Sequence, residues 1–356
     1  MNLEKLIAAL PGDIDGVLIE SPENRRYFTG FPSSAGILIA AKQGSVFLTD
    51  SRYIEAAHNK IDCCEVMELK GQEEQLPALA KKLGCSCLAF ETSRTTFARV
   101  GKLKKMLGDI RLFEGPAIDK FIGHLREQKS AQEVNKIKAA QRITELGFDH
   151  IARFIKAGMT EREIALELDF FMLKNGAESL AFDTIAASGV NTSKPHAVPS
   201  DKKVEAGDFI TLDFGATVDG YRSDMTRTLA LGRVSEKQKL VYQTVLAAQA
   251  ATLTILKPGV TCKAADAAAR DVIENAGFGK YFGHGTGHGV GIEVHEGPTL
   301  SPISSDILEA GNVVTAEPGI YLPGEFGVRI EDMALITPQG HENLTSSPKE
   351  LTVVRG

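Results

Sequence analysis

The chain has 356 residues, of which 43% are hydrophobic and 24% charged, values of a folded globular protein rather than a disordered one. At roughly 150 residues per domain this length predicts two folded units. Lys+Arg 40 against Asp+Glu 46 leaves a net charge of −6, so no basic excess is available to hold a nucleic acid or an anionic membrane.

The start, Met1-Asn2-Leu3-Glu4-Lys5-Leu6, has neither the basic region nor the long apolar run of an export signal, and no segment reaches ~18 uninterrupted apolar residues. A cytoplasmic protein is expected. Five cysteines, an odd number that includes the neighbours Cys63 and Cys64, fit reduced thiols better than a disulfide framework.

From residue 15 to about 113, short β-rich runs at 16–20, 36–40, 45–49 and 85–90 alternate with helical stretches over 51–58 and 93–107. That order predicts an α/β layer domain, in which nothing looks like a reaction centre. Cys63, Cys64, Cys85 and Cys87 cluster here, but their spacing suits positions within strands better than a structural zinc site. Glu114-Gly115-Pro116 breaks the pattern and places a boundary near residue 122, giving domains 1–122 and 123–356.

The second domain opens on Ser130-Ala131-Gln132-Glu133, a capping box that predicts a helix with Val134, Ile137, Ile143, Ile151 and Phe154 on its buried face and Gly158 as its left-handed stop. Thr160-Glu161-Arg162-Glu163 opens another, with Ile164, Leu168, Phe171 and Met172 facing inward and Asn175-Gly176 ending it.

A self-similarity follows. The segment 205–215, Glu-Ala-Gly-Asp-Phe-Ile-Thr-Leu-Asp-Phe-Gly, returns 104 residues later at 309–319 as Glu-Ala-Gly-Asn-Val-Val-Thr-Ala-Glu-Pro-Gly. In each copy an apolar run ends on an acid, Asp213 or Glu317, and a glycine two residues on suits a turn or a close backbone approach. Each is followed by a return strand with an acid two residues after an arginine, Arg222-Ser223-Asp224 and Arg329-Ile330-Glu331. A duplicated βαβ-like half implies a pseudo-twofold arrangement that gathers the four acids at one centre. Four ionised carboxylates there would repel one another and be costly to desolvate, so either their pKa values rise or cations sit between them. Ordinary hairpins with surface acids paired to Arg222, Arg227 and Arg329 are the alternative. It is disfavoured because Asp213 and Glu317 are expected inside otherwise apolar strands.

Between the copies lies Phe282-Gly283-His284-Gly285-Thr286-Gly287-His288-Gly289-Val290-Gly291-Ile292-Glu293-Val294-His295-Glu296. Five glycines in the nine residues 283–291 forbid a stable helix. In an extended chain His284 and His288 share a face, within reach of the acidic centre. No phosphate-binding glycine register is present.

Asp213, Asp224, His288, Glu317 and Glu331, in that order, make the chain resemble the metallopeptidases of the pita-bread fold, the creatinase and methionine aminopeptidase-like group. The resemblance is closest to the Xaa-Pro aminopeptidase and proline dipeptidase (prolidase) branch. It rests on Leu212-Asp213-Phe214-Gly215, Ser223-Asp224-Met225-Thr226-Arg227-Thr228, residues 284–291, Glu317-Pro318-Gly319-Ile320-Tyr321 and Arg329-Ile330-Glu331-Asp332-Met333. It implies an α/β (α+β) protein: a small N-terminal creatinase-like domain, then a pita-bread catalytic domain with internal pseudo-twofold symmetry.

The resemblance further implies two divalent metal ions, with Asp213 on one, Asp224 and Glu331 bridging, and His288 and Glu317 on the other. His196, His284 and His295 match histidines that contact substrate and oxyanion; Tyr321 and Arg329 match pocket or supporting positions. His58, His124, His150 and His341 lack such support and are expected at the surface or in the core. Two such ions would share a hydroxide that attacks the scissile carbonyl, His295 or His284 would donate to the oxyanion, and Glu317 would handle the proton. Four oxygen donors to one imidazole favour Mn²⁺, with Co²⁺ or Zn²⁺ also accommodated.

The expected substrate is a proline-containing peptide, the expected assembly a homodimer, and neither nucleic acid nor membrane is expected as a partner. After His295 the chain runs Glu296-Gly297-Pro298-Thr299, without the arginine that some dipeptidases of this kind use to grip a free carboxylate. That favours an Xaa-Pro aminopeptidase over an Xaa-Pro dipeptidase. A metal-free creatinase-like amidinohydrolase, or a non-catalytic binding module, is the alternative of a different class. It is disfavoured because all five ligand positions are filled.

Overall fold

The computed structural model describes residues 2–354, which fall into two compact units divided in sequence between Leu125 and Arg126. The first is built on a six-stranded mixed sheet in the order Glu65–Glu68, Gly44–Thr49, Ile37–Ala41, Gly16–Ile19, Cys87–Phe90, Arg111–Phe113. The strand Ile37–Ala41 is antiparallel to both its neighbours and the other pairings are parallel. Leu18, Ile39, Leu48, Leu76, Leu88 and Leu103, all fully buried, form its core.

Helices in this unit start later than the sequence suggests, at Ile54 and Phe97. In the second case the Thr96 side chain accepts from Arg99 N and so fixes the start. Among the clustered cysteines, Cys87 is in a strand, whereas Cys63, Cys64 and Cys85 lie just before strands, which corrects their expected placement. All five thiols are free.

The second unit begins with helices Ala131–Phe154 and Glu161–Lys174, each opened by its complete capping box. The first ends at Ile155, where ψ of 131° leaves the helical region, and not at Gly158. Gly158, with φ +87°, instead makes the turn that lets its N–H donate to Val204 O. Phe148, Ile151, Ile164, Leu168 and Met172 pack against Ile210, Leu212, Phe214 and Leu229 of the adjoining sheet. Phe171 is only half-buried and stacks on His150 at 4.2 Å.

That sheet has the order Val353–Val354, Met225–Leu231, Phe209–Phe214, Ile185–Ser188. Helices Glu236–Ile255 and Cys262–Asn275 then precede a second sheet, ordered Glu296–Leu300, Gly287–Gly289, Val313–Ala316, Asp332–Thr337, Gly340–Asn343. Each half is therefore a helix pair followed by a largely antiparallel sheet, which corrects the βαβ-like expectation. Tight turns are the reason: Asp219 and Gly220 both have positive φ, the geometry of a two-residue hairpin loop, and such a loop joins only antiparallel neighbours. No helix of the described residues is long and apolar enough to cross a membrane.

Both return strands are interrupted. Tyr221–Arg222 and Met225–Leu231 are separated by Ser223-Asp224, and Phe326–Arg329 and Asp332–Thr337 by Ile330-Glu331. Asp213 lies one residue before the end of Phe209–Phe214, while Glu317 stands just past Val313–Ala316 rather than inside it.

Candidate metal centre

The two interruptions release Asp224 and Glu331 from the sheet ladders and turn their carboxylates toward His288, the middle residue of Gly287–Gly289. One oxygen from each acid and one ring nitrogen of His288 lie within 4.8 Å of one another. His288 Nε2 is 3.2 Å from Glu317 Oε1 and 3.7 Å from Asp224 Oδ2. On the other side of the ring Nδ1 faces Gly289 O at 3.1 Å; a carbonyl only accepts, so Nδ1 keeps a proton, and Nε2 is the nitrogen turned to the acids, donating to Glu317 when the ring is charged and free to bind a cation when it is neutral.

The glycines flanking His288 serve close packing. A Cβ at Gly287 would run into Thr315 O, and one at Gly289 into Gly297 O.

Asp213, Asp224, His284, His288, His295, Glu317, Arg329 and Glu331 line one cavity of ≈ 680 Å³, together with His196 and the apolar groups of Phe182, Ile185 and Val198. Its size is that of a small-ligand site. Asp224 and Glu331 are 4% and 1% exposed. Burial pushes the carboxyl of Asp224 well above its usual range, and the charges of Glu331, Asp213 and Glu317 push it further. Burial, then Glu317 and Asp213, does the same to Glu331. Asp213 is raised by burial against the pull of Arg329.

Glu317 moves oppositely. Burial works to raise it, but the hydrogen bond from His288 and the charges of His288, His284 and Arg329 prevail and hold it at about 2. Burial likewise opposes the imidazolium of His288, and Glu317 outweighs it, so His288 is raised.

Asp213 Oδ1 and Glu331 Oε1 are buried without a hydrogen-bond partner. Orphaned carboxylate oxygens beside a histidine whose Nε2 is turned the same way fit a divalent cation, which would satisfy the oxygens and neutralise their charge.

Around this set the remaining side chains hold one another. Tyr321 is buried and lies behind the cavity wall: its hydroxyl accepts from Arg329 Nη1 at 2.9 Å and donates to His284 Nε2 at 3.0 Å. His284 Nδ1 faces Gly285 O at 2.8 Å, so both its ring nitrogens are engaged. Arg329 reaches the wall, but Nε is bound to Thr226 Oγ1, Nη1 also to Pro195 O, and Nη2 to Asp213 Oδ2. Through these bonds Tyr321 and Arg329 brace the site.

His295 packs edge-on to His288 at 4.4 Å and is lowered by burial; with His196 it faces the open cavity. His150 pairs with Glu167, far from this centre in the chain, and His341 approaches Leu256 O.

Sequence reasoning passed over Thr226, which accepts from Arg329 Nε and donates to Glu331 Oε2 at 2.7 Å. Its place two residues after Asp224 was the available signal. Asp266 was also passed over: it accepts from Thr286 N and Oγ1 and pairs with Arg270, whose guanidinium holds His284 O.

Residues 135–338 match metallopeptidase family M24, and residues 3–128 match the creatinase/prolidase N-terminal domain. The chain is 45% identical to the "Uncharacterized peptidase YqhT" of Bacillus subtilis (strain 168), over 99% of this chain and 100% of that one. The structure is similar to an Xaa-Pro dipeptidase from Bacillus anthracis, with a TM-score of 0.95 and 42% identity over 99% of this chain and 98% of the other. It is similar also to an X-Pro aminopeptidase from Thermotoga maritima MSB8, with a TM-score of 0.93 and 40% identity over 99% and 100%. The mixed α/β architecture is that of the pita-bread prolidases. With the acids and His288 gathered in one cavity and the family matched over most of the second unit, the chain belongs to metallopeptidase family M24, as an enzyme of its Xaa-Pro peptidase group carrying the creatinase/prolidase N-terminal domain.

Proposed function

We propose that the chain is an Xaa-Pro aminopeptidase, an exopeptidase that hydrolyses the bond between an N-terminal residue and a following proline. The observation that carries this reading is the pair of orphaned carboxylate oxygens, on Asp213 and Glu331, beside the Nε2 of His288. Asp213, Asp224, His288, Glu317 and Glu331 would hold two divalent ions, Mn²⁺ first, with Co²⁺ or Zn²⁺ able to substitute. When bound, such ions supply Lewis acidity, which polarises a carbonyl and makes water nucleophilic near neutral pH.

The protein's own groups do the rest. His288 is held by Gly289 O in the tautomer that presents Nε2 to the centre. Glu317, kept ionised, is in the form that binds a cation and that accepts a proton for the leaving proline nitrogen. His295 faces the cavity and can donate to the developing oxyanion, His196 faces it beside Val198 and can contact the substrate, whereas His284 has both nitrogens committed.

The aminopeptidase assignment is supported by the charge of the lining. Among the described residues that line the cavity Arg329 is the one permanent cation, and its guanidinium is already engaged. Glu296, next to His295, is buried against Arg126 and Lys129. A dipeptide's free carboxylate finds no unspent arginine there. The second reading, an Xaa-Pro dipeptidase, draws on the relatives that bear that name.

Cytoplasmic residence is supported by the five free thiols. A homodimer is supported by the solvent-facing apolar stripe Leu166, Phe170 and Leu173 on Glu161–Lys174. A peptide panel of Xaa-Pro, Xaa-Pro-Xaa and proline-free peptides, with chelator and with Mn²⁺, tests the reading. Mn²⁺-dependent cleavage of Xaa-Pro-Xaa is expected, and cleavage of the dipeptide alone would overturn the aminopeptidase assignment.

A further inference from the structure

Glu161 is the first residue of its helix and is 1% exposed. Its carboxylate lies outside the capping box, in which Thr160 and Glu163 serve each other. Oε1 accepts from Ser188 N at 2.6 Å, Ser188 Oγ at 3.0 Å and Asn191 Nδ2 at 3.0 Å. Oε2 accepts from Asn191 Nδ2 at 3.2 Å, Ser200 N at 3.1 Å and Ser200 Oγ at 2.6 Å. All these donors are neutral, and all belong to the segment 188–200.

That segment carries Pro195, His196, Ala197, Val198 and Pro199, five consecutive residues of the cavity wall. Ser188 closes the strand Ile185–Ser188 and the short turn Gly189–Ser193 follows; from 194 to 199 the chain is irregular, and beyond the turn bonds from Lys194 N to Asn191 O and from Ala197 N to Lys194 O no ladder of backbone hydrogen bonds holds it in place. The far side is braced by the strand Phe326–Arg329: Gly327 N donates to Thr192 Oγ1 at 2.8 Å, and Arg329 Nη1 to Pro195 O at 3.2 Å. Glu161 is the near-side counterpart, bonded at both ends of the loop, Ser188 and Ser200. Lys202 adds to it by donating to Ser188 Oγ at 3.0 Å.

We infer that Glu161 is a positioning residue for substrate binding: it ties the two ends of the 188–200 loop together and so sets where His196 and Val198 stand in the peptide cavity. The inference rests on the reading of that cavity as the peptide site. Burial alone would raise the Glu161 carboxyl, and the donors from Ser200, Asn191 and Ser188 overcome this and lower it, in keeping with a carboxylate built to be held. A Gln at this position keeps one acceptor oxygen and places an amide donor against donors, which frees one end of the loop.

The test compares wild type with Glu161→Gln, His196→Ala and the double variant, using Mn²⁺-loaded enzyme and hydrogen exchange followed by mass spectrometry. In Glu161→Gln, amides of 188–202 are expected to lose protection while those of 284–300 keep theirs. KM for the peptide substrate is expected to rise about tenfold with kcat changed less than about twofold, the pattern of lost substrate binding rather than of a smaller folded fraction. The double variant should show less than the product of the single effects, because both act through one loop. Unchanged exchange in 188–202 overturns the inference whatever the substrate proves to be. Exchange that rises with KM unchanged, or effects that multiply, also overturns it. If wild type cleaves no Xaa-Pro peptide, the functional reading fails separately and the exchange experiment still decides the anchoring. Should Glu161→Gln not fold, Ser200→Ala and Asn191→Ala, each removing one donor group, are measured by the same criteria.

Discussion

Tyr321 Oη and His284 Nε2 lie 3.0 Å apart, and this contact takes His284 out of the set of groups able to donate into the cavity. Arg329 Nη1 donates to the same hydroxyl, so its proton points to His284, while Gly285 O holds Nδ1–H. In the proposed mechanism the oxyanion donor is then His295 rather than His284. On that basis His295→Ala should lower kcat by about 10²- to 10³-fold. Tyr321→Phe should lower kcat less, and should cost about 1–3 kcal/mol of stability because a buried Arg329 N–H loses an acceptor. Steady-state kinetics and melting of the two variants check this; the reverse order in kcat would refute it.

Asp224 is an acid that stands to gain from a cation. Buried among Glu331, Asp213 and Glu317, it costs free energy whether it ionises or keeps a proton away from its ordinary pKa. Asp224→Asn avoids that cost, so without metal the variant should melt higher than wild type, by about 2–4 °C per kcal/mol recovered. Added Mn²⁺ should raise the melting temperature of wild type and much less that of the variant. Asp213→Ala should abolish turnover with the fold retained. Calorimetry with and without chelator, together with the peptide assay, reads all three, and a chelated Asp224→Asn that melts lower than wild type would contradict the charge argument.

The site was legible in sequence wherever its signal was local or repeated. Capping boxes at Ser130 and Thr160 need only four residues, and the copies ending on Asp213 and Glu317 needed only comparison of the chain with itself. What escaped was set by contacts between distant segments. The interruptions that free Asp224 and Glu331 arise from how the sheets pair, and Gly158 became a turn because Val204 O receives its N–H. Tyr321 resembles a pocket residue until its partners, Arg329 and His284, are seen to stand between it and the cavity. Residues 195–199 carry no periodicity at all, and only the donors on either side of that loop, bound to Glu161, reveal how it is held.

Gly283 and Gly289 belong to one glycine-rich run yet are not equivalent. A Cβ at Gly283 meets nothing within 4 Å, whereas one at Gly289 would collide with the Gly297 and Glu296 carbonyl oxygens. Gly289 also pairs with Val314 and bonds the ring of its neighbour His288 through its carbonyl. Gly283→Ala should therefore leave melting and activity nearly unchanged, while Gly289→Ala should cost about 1–3 kcal/mol or more and weaken Mn²⁺ binding by shifting His288. Melting curves and metal titrations of the pair check it. Equal tolerance at both positions would mean that the strands part without penalty.

Glu296 supplies the pH test. It is buried beside His295 and held by Arg126 at 2.6 Å and Lys129 at 2.7 Å, with Arg126 also reaching Glu293. Burial works to raise its carboxyl, but the charges and hydrogen bonds of Lys129 and Arg126 prevail and lower it below 4.5. A carboxylate depressed in the folded state contributes stability that is fully present above its unfolded pKa of about 4.3 and is lost as pH falls through the folded value. Glu296→Gln leaves the Lys129 ammonium buried without its carboxylate, so at pH 7 the variant should be less stable by about 3–5 kcal/mol. As pH falls below the unfolded value toward the depressed folded one, the wild type gives up the same interaction, and the gap between the two should narrow. Denaturant titrations of both proteins between pH 7 and pH 3 measure the gap directly. A difference that stays constant across that range would show that the ionised pair is not what Glu296 contributes.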